Sequence, residues 1–213
     1  EKVYVSLADM GLIQKYVSFT SKKPRLSRLG TKEWVYTKVR SARAIQTYAV
    51  ELIRTQALRK LLGGFSFKDR AWQKDFEKTF PHKETVDQKK AWLQVRSDME
   101  LSQPMDRLVC GDVGYGKTEI AIRAAFKAVV SSKQVAFLVP TTILAGQHYY
   151  NFKKRLTTFP VKIGLLSRFS SKQEQKLIVK QLAEGKIDIV IGTHRLLSKD
   201  VEFKDITDEL ICL

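Results

Sequence analysis

The chain has 213 residues and carries 38 Lys and Arg against 22 Asp and Glu, a formal net charge of +16. Its 44% hydrophobic content excludes general disorder, and no apolar run approaches the ~18 residues of a membrane span. The length accommodates one full domain and a partial or small second one, and the cationic excess points to a polyanionic partner, nucleic acid first.

The first residues, Glu1-Lys2-Val3, show neither an initiator Met nor a signal-peptide pattern, so a segment of a longer protein is expected. Residues 1–19, "EKVYVSLADMGLIQKYVSF", are β-branched and aromatic around a turn-like Asp9-Met10-Gly11, and predict a strand with a short following element. Residues 20–32, "TSKKPRLSRLGTK", read as an exposed basic linker. From Glu33, apolar residues Val35, Val39, Ala42, Ile45, Ala49, Leu52 and Ile53 recur at three- and four-residue steps, which predicts one long helix stopped by Gly63-Gly64. At 1.5 Å per residue about thirty residues span roughly 45 Å, with Lys38, Arg40, Arg43, Arg54 and Arg59 on the exposed face. Such a helix is read as a strut or relay.

From Leu108 the pattern changes. Apolar runs "RLVC", "QVAFLVP", "VKIGLL" and "IDIVIG" alternate with amphipathic stretches at 117–130, 142–156 and 172–184, and a final "LICL" opens another such run. Continuous β-branched runs separated by helices predict an α/β fold, a parallel sheet covered on both faces. Cys110 and Cys212 lie in apolar runs without ligand spacing and read as buried free thiols of a reducing, cytoplasmic protein. Three scattered histidines suggest no metal cluster of their own.

Three groups of residues carry chemistry. Gly111-x-x-x-x-Gly116-Lys117-Thr118 follows a predicted strand and precedes a predicted helix, the context of a Walker phosphate loop. Its glycines let backbone N–H groups converge on phosphate oxygens, and the helix start adds partial positive charge. Lys117 would reach the β- and γ-phosphates, and the Thr118 hydroxyl would ligate Mg²⁺. The candidate nucleotide contacts are Gly111, Asp112, Val113, Gly114, Tyr115, Gly116, Lys117, Thr118 and Glu119. Upstream, Thr85 and Gln88 form a T-x-x-Q helix cap, and the Gln88 amide can also donate to and accept from an adenine edge. Downstream, "PTTILAGQH" (140–148), "SRF" (167–169) and "GTHRLL" (192–197) follow predicted strand ends, where an open parallel sheet forms its ligand crevice. Each threonine alone reads as an ordinary N-cap; three such loops on one edge of a +16 chain read as a track for nucleic-acid phosphates.

The ordered set Gln88, "GDVGYGKTE", "PTTILAGQHY", "LLSRF" and "GTHRLL" resembles the first motor lobe of the RecG-like group of superfamily 2 helicases. The wording "GGFSF", "WQKDFEKTFPHKETVDQ", "DMELSQPMDRLVCGDVGYGKTE" and "EGKIDIVIGTHRLL" is similar, within that group, to the family of bacterial transcription-repair coupling factors. "KVYVSLADMGLIQKY" resembles the end of that family's RNA-polymerase-interacting domain, and the resemblance covers essentially the whole chain. It implies a small β remnant at 1–19, a linker and relay helix at 20–64, and an incomplete RecA-like first motor lobe at 65–213. It implies an ATP-driven translocase on double-stranded DNA, partnered by RNA polymerase and excision-repair proteins, with ATP and Mg²⁺ as cofactors. Gln88 and Phe80 would sit at the adenine, and Thr141, Thr142, Ser167, Arg168, Gly192, Thr193 and His194 would line the DNA track.

The family's pattern continues with an Asp-Glu pair at the end of the next strand, the pair that holds Mg²⁺ and orients water. Asp208-Glu209 precede "LICL" rather than follow it, so these two are not expected to be that pair. The residues present are therefore expected to hold ATP without turning it over efficiently. Other readings of the same residues are a P-loop nucleotide kinase, a RecG-type fork-remodelling lobe, and a non-enzymatic polymerase-docking or relay module.

Overall fold

A computed structural model describes residues 4–13, 28–61, 63–168 and 170–212, with the side chains of 207–212 left out. The chain divides into two units, Glu1–Arg54 and Thr55–Leu213. In the first, the predicted N-terminal strand is replaced, over the described residues, by a short 3-10 helix at Leu7–Leu12 that takes in Met10-Gly11. Helix α1 (Lys32–Leu61) begins where predicted, with the Thr31 hydroxyl accepting from Trp34 N–H at 3.3 Å. None of its residues is buried: Val35, Ile45 and Ile53 are 55, 68 and 69% exposed, so the predicted apolar stripe lies bare.

The second unit takes the last turns of α1. Here Arg59, expected on the open face, is half-buried instead, because its guanidinium donates to Met105 C=O at 3.2 Å and pairs with Asp106 at 3.6 Å. There follow α2 (Ala71–Lys78), α3 (Val86–Met99), α4 (Lys117–Val130), β1 (Gln134–Leu138), α5 (Thr142–Arg155), β2 (Ile163–Leu166), α6 (Lys172–Ala183), β3 (Ile189–Gly192) and β4 (Ile206–Cys212). The strands form one parallel sheet in the order β2-β3-β1-β4, with Val135 opposite Ile189, Ile163 opposite Ile189 and Leu138 opposite Cys212. Side chains alternate between faces, so each buried strand feeds two cores. Val135, Phe137, Ile189 and Ile191 pack with Phe76, Trp92, Phe126 and Phe152 of α2–α5, while Ala136, Leu166 and Val190 pack with Leu182, Ile187 and Leu196 on the other face. This two-sided burial is what the unbroken β-branched runs specify.

One predicted strand is missing. Residues 107–110 are irregular, Leu108 is 85% exposed, and Cys110 is exposed rather than buried. Among the described residues these pair with no strand of the sheet, and Arg107 is turned to the Asp98 carboxylate. The Cys212 side chain lies outside the described residues. Asp208 and Glu209 fall inside β4, between the Gln134↔Ile206 and Ala136↔Leu210 pairings where the register shifts. Among the described residues no helix is long and apolar enough to cross a membrane.

Candidate functional site

The Walker loop ends at Gly116, which adopts φ +77 and begins α4 with no side-chain cap. By contrast α3, α5 and α6 start on Thr85, Thr141 and Ser171, whose hydroxyls each accept a backbone N–H. A helix without its own cap leaves first-turn N–H groups for an external acceptor, and an anion suits them. The Lys117 ammonium folds back to donate to Gly111 C=O at 2.5 Å and Asp112 C=O at 2.7 Å. The cation thus already sits over the loop, held by carbonyls that a phosphate oxygen would replace. Val113, at 96% exposure, and Tyr115, at 66%, project away from the core.

Gln88 joins this loop to the upstream segment. The predicted capping box is present: Gln88 Oε1 accepts from Thr85 N–H at 3.0 Å and Gln88 N–H donates to Thr85 Oγ1 at 3.2 Å. Its Nε2 then donates to Tyr115 C=O at 2.9 Å. A Cβ added at Gly116 would lie 2.5 Å from that nitrogen, so glycine is required there for the contact as well as for the left-handed backbone.

Phe80 lines a cleft of about 510 Å³ shared with Thr118, Ile122, Asn151 and Arg155. Beneath it lies a charged cluster that sequence reading missed. Arg155 donates from Nε to Glu119 Oε2 at 3.0 Å, and from its NH2 group to Glu119 Oε1 at 2.9 Å and Phe76 C=O at 3.1 Å; its NH1 group reaches Thr79 Oγ1. Arg123 donates to Glu119 Oε1 at 2.9 Å and pairs with Glu84. Both guanidiniums approach the Phe80 ring, at 5.3 Å for Arg123 and 5.6 Å for Arg155. Glu119, one of the candidate nucleotide contacts, also lines this cleft, and its carboxylate is engaged by two arginines. One signal was legible: Glu119 and Arg123 stand four apart on one helix. Arg155, 36 residues on, carried none.

The threonine loops converge as predicted. Thr141, Thr142, Arg168, Thr193 and His194 line one cleft of about 420 Å³, together with Gln175 and Arg195. Thr141 is also an N-cap, accepting from Leu144 N–H at 3.2 Å, as the sequence alone suggests. Two expected lining residues are corrected. Ser167 is 1% exposed and stands behind the cleft. Gly192 is buried in β3, where an added Cβ would meet Leu166 C=O at 2.4 Å; it permits close strand packing. Gln175 was missed. It donates to Ser167 C=O at 3.1 Å and Ser170 C=O at 2.9 Å, and accepts from Arg195 at 3.4 Å, tying the two loops together. Arg195 also forks onto Asp200 at 2.8 and 2.6 Å, which raises the guanidinium and lowers the carboxyl from their ordinary values. A third cleft, about 550 Å³ between Arg70, Trp72, Lys133 and Asp188, opens at the N-terminal ends of the strands and holds no motif residue.

Among the described residues no three His, Cys, Asp or Glu side chains gather to hold a metal. The donor set fits a cation carried in by phosphates and one hydroxyl, Thr118, better than a protein-built metal cage.

Residues 85–212 match the family model for DEAD/DEAH box helicases. The chain is 50% identical over 207 residues, 97% of its length, to a transcription-repair-coupling factor of Bacillus subtilis (strain 168). It is 48% identical over the same share to that of Staphylococcus aureus (strain USA300). It spans 18% of the length of each. A solved structure described as RecG bound to a three-way DNA junction superposes on 72% of this chain and 21% of its own, with a TM-score of 0.67 and 38% identity. The matched stretch takes in the Walker loop, the Gln88 cap and all three strand-end loops, and the chain belongs to the DEAD/DEAH box helicase family.

Proposed function

We infer that this chain is the nucleotide-holding, DNA-gripping first motor lobe of an ATP-driven double-stranded DNA translocase of the transcription-repair-coupling type. The observation that carries the reading is the convergence of Thr141, Thr142, Arg168, Thr193 and His194, from three separate strand ends, into one cleft. Hydroxyls, a guanidinium and helix-start N–H groups suit a sugar-phosphate backbone and carry no sequence information, which is what a motor moving along any duplex requires. The same motifs serve fork remodelling, but greater identity over 97% of the chain favours the coupling-factor reading.

Bound ATP–Mg²⁺ supplies the phosphoanhydride whose cleavage drives movement. Lys117, now on the Gly111 and Asp112 carbonyls, would hold the β- and γ-phosphates, the uncapped α4 N–H groups would donate to phosphate oxygens, and the Thr118 hydroxyl would be available to Mg²⁺. The base would enter beside Phe80, and Gln88, which stands outside the lining of that cleft, would exchange its Tyr115 contact for the adenine edge. Asp208 and Glu209, inside β4, do not serve as the water-activating pair, so the 213 residues bind ATP without efficient turnover. In the whole protein this lobe works in the cytoplasm, acting on stalled RNA polymerase and serving excision-repair partners.

The test is a titration of the chain with ATP and with duplex DNA. ATP binding that Lys117→Ala weakens at least about tenfold, the scale of one lost charge-assisted phosphate contact, is expected. DNA binding that weakens steeply with salt is expected alongside it. DNA-stimulated steady phosphate release dependent on Lys117 would overturn the non-hydrolytic part. Phosphate transfer to a small acceptor would replace the reading with a kinase.

A further inference from the structure

We propose that Arg155 is a positioning residue for the base-binding cleft, acting through Thr79, Glu119 and Phe80; the inference rests on the nucleotide reading given above. Residues 79–85 connect α2 to α3 and carry Phe80 to the mouth of the cleft. Nothing in so short a link fixes an aromatic ring by itself. Two guanidiniums fix it from below. Arg155 grips the start of the segment through Thr79 Oγ1 and Phe76 C=O, and Arg123 grips its end through Glu84. Glu119 holds the two arginines together, accepting from both at 2.9 Å through Oε1 and from Arg155 at 3.0 Å through Oε2.

The cluster is balanced, two cations against two carboxylates, and enclosed: the Arg123 side chain is 3% exposed, Arg155 10% and Glu119 11%. Arg155 also sits over Phe76, its guanidinium carbon 4.1 Å from the ring centroid, so a cation–π contact adds to its hydrogen bonds. Each Arg155 nitrogen has a named acceptor, which is how a guanidinium sets an orientation where an ammonium cannot. Glu119 directly follows Thr118, the hydroxyl assigned to the phosphate-bound cation. The Phe80 segment is therefore anchored at Thr79 by Arg155 arriving from α5, while Glu119 and the start of α4 keep Arg123 as a partner of their own.

The consequence is selective. Arg155 touches no part of the phosphate cradle, whose contacts are Lys117 to Gly111 and Asp112 and Gln88 to Tyr115. Removing it should weaken recognition of the base and leave recognition of the phosphates. The experiment titrates the chain with Mg-ATP and with Mg-tripolyphosphate, which has the phosphates and no base, following amide NMR shifts that report binding into the millimolar range. The readout is the ratio of the two dissociation constants. Wild type should favour ATP; Arg155→Met should reduce that preference about tenfold through the ATP term alone, tripolyphosphate affinity being unchanged. Should Arg155→Met fail to fold, Arg155→Lys carries the test. It keeps charge and bulk but not the fork, and should reduce the preference about threefold. An unchanged ratio in a folded variant, or equal loss for both ligands, makes Arg155 merely structural and overturns the proposal. Wild type that binds neither ligand overturns the nucleotide reading itself, a separate failure.

Discussion

Lys127 is the buried charge whose removal is most informative about how this lobe is held. Its side chain is 0% exposed, in the last turn of α4, and its ammonium pairs with Asp69 and, at 3.1 Å, with Glu100. Those two carboxylates are 24 and 39% exposed and share Arg96 as a second cation. Breaking a fully buried pair costs about 3–5 kcal/mol because a desolvated charge is left alone. Here Arg96 and partial solvent remain for both carboxylates, and Lys127→Met removes the desolvation of the ammonium, so a net loss of about 2 kcal/mol is expected. For a unit of this size that lowers the melting temperature by about 4–8 °C, measurable by calorimetry or urea unfolding. The acid limb gives a second reading. Burial pushes the Asp69 carboxyl up, but the Lys127 hydrogen bond and the charges of Lys127 and Arg96 outweigh it and hold the group below its usual 3.8. That contribution is complete above pH 3.8 and disappears as pH falls through the depressed folded value. The variant, without the Lys127 part of that depression, should lose less stability than wild type as pH falls below 3.8. Equal or greater stability of Lys127→Met at neutral pH would refute the reasoning, showing that an apolar side chain serves this site as well as the ion network.

Three further outcomes are expected. His148 is 9% exposed, 5.5 Å from the Phe137 ring, and burial holds its imidazole below 6.5. The unfolded chain takes up the proton first, so stability is complete above pH 6.5 and declines as pH falls toward the lower folded value; in His148→Phe, urea midpoints should lose that slope. Gly116→Ala should cost about 1–2 kcal/mol for the left-handed backbone and displace the Gln88 amide, read as lower stability together with lost ATP affinity. Gln175→Ala should remove its bonds to Ser167, Ser170 and Arg195 and weaken duplex DNA binding about threefold, near the net worth of one hydrogen bond, with ATP affinity unchanged in the same titrations.

Local signals carried most of the architecture. The Thr85–Gln88 and Ser171–Glu174 boxes mark helix starts in the sequence and cap them in the structure. "QVAFLVP" and "IDIVIG" contain strands because their apolar residues have a core to enter on one face or the other. "RLVC" has the same composition and is not a strand, since a strand also needs a neighbour, and neighbours are set by topology. Charged residues were the least legible. Lys127 and Arg123 look like solvated helix positions until partners 58 and 39 residues away are brought against them. Ser167 and Gly192 stood in the right loops, but depth within a loop depends on packing and leaves no mark on composition.

Helix α5 has an end in each cleft: Thr141 and Thr142 open it beside the threonine loops, and Arg155 closes it on Glu119. Its 14 residues make a rod of about 21 Å. Pivoting such a rod by about 5° at Arg155 sweeps the threonine end through about 2 Å, a large fraction of a hydrogen bond's reach. While the helix stays intact, the two clefts are geared to each other, and a change of fit at one is a change of aim at the other.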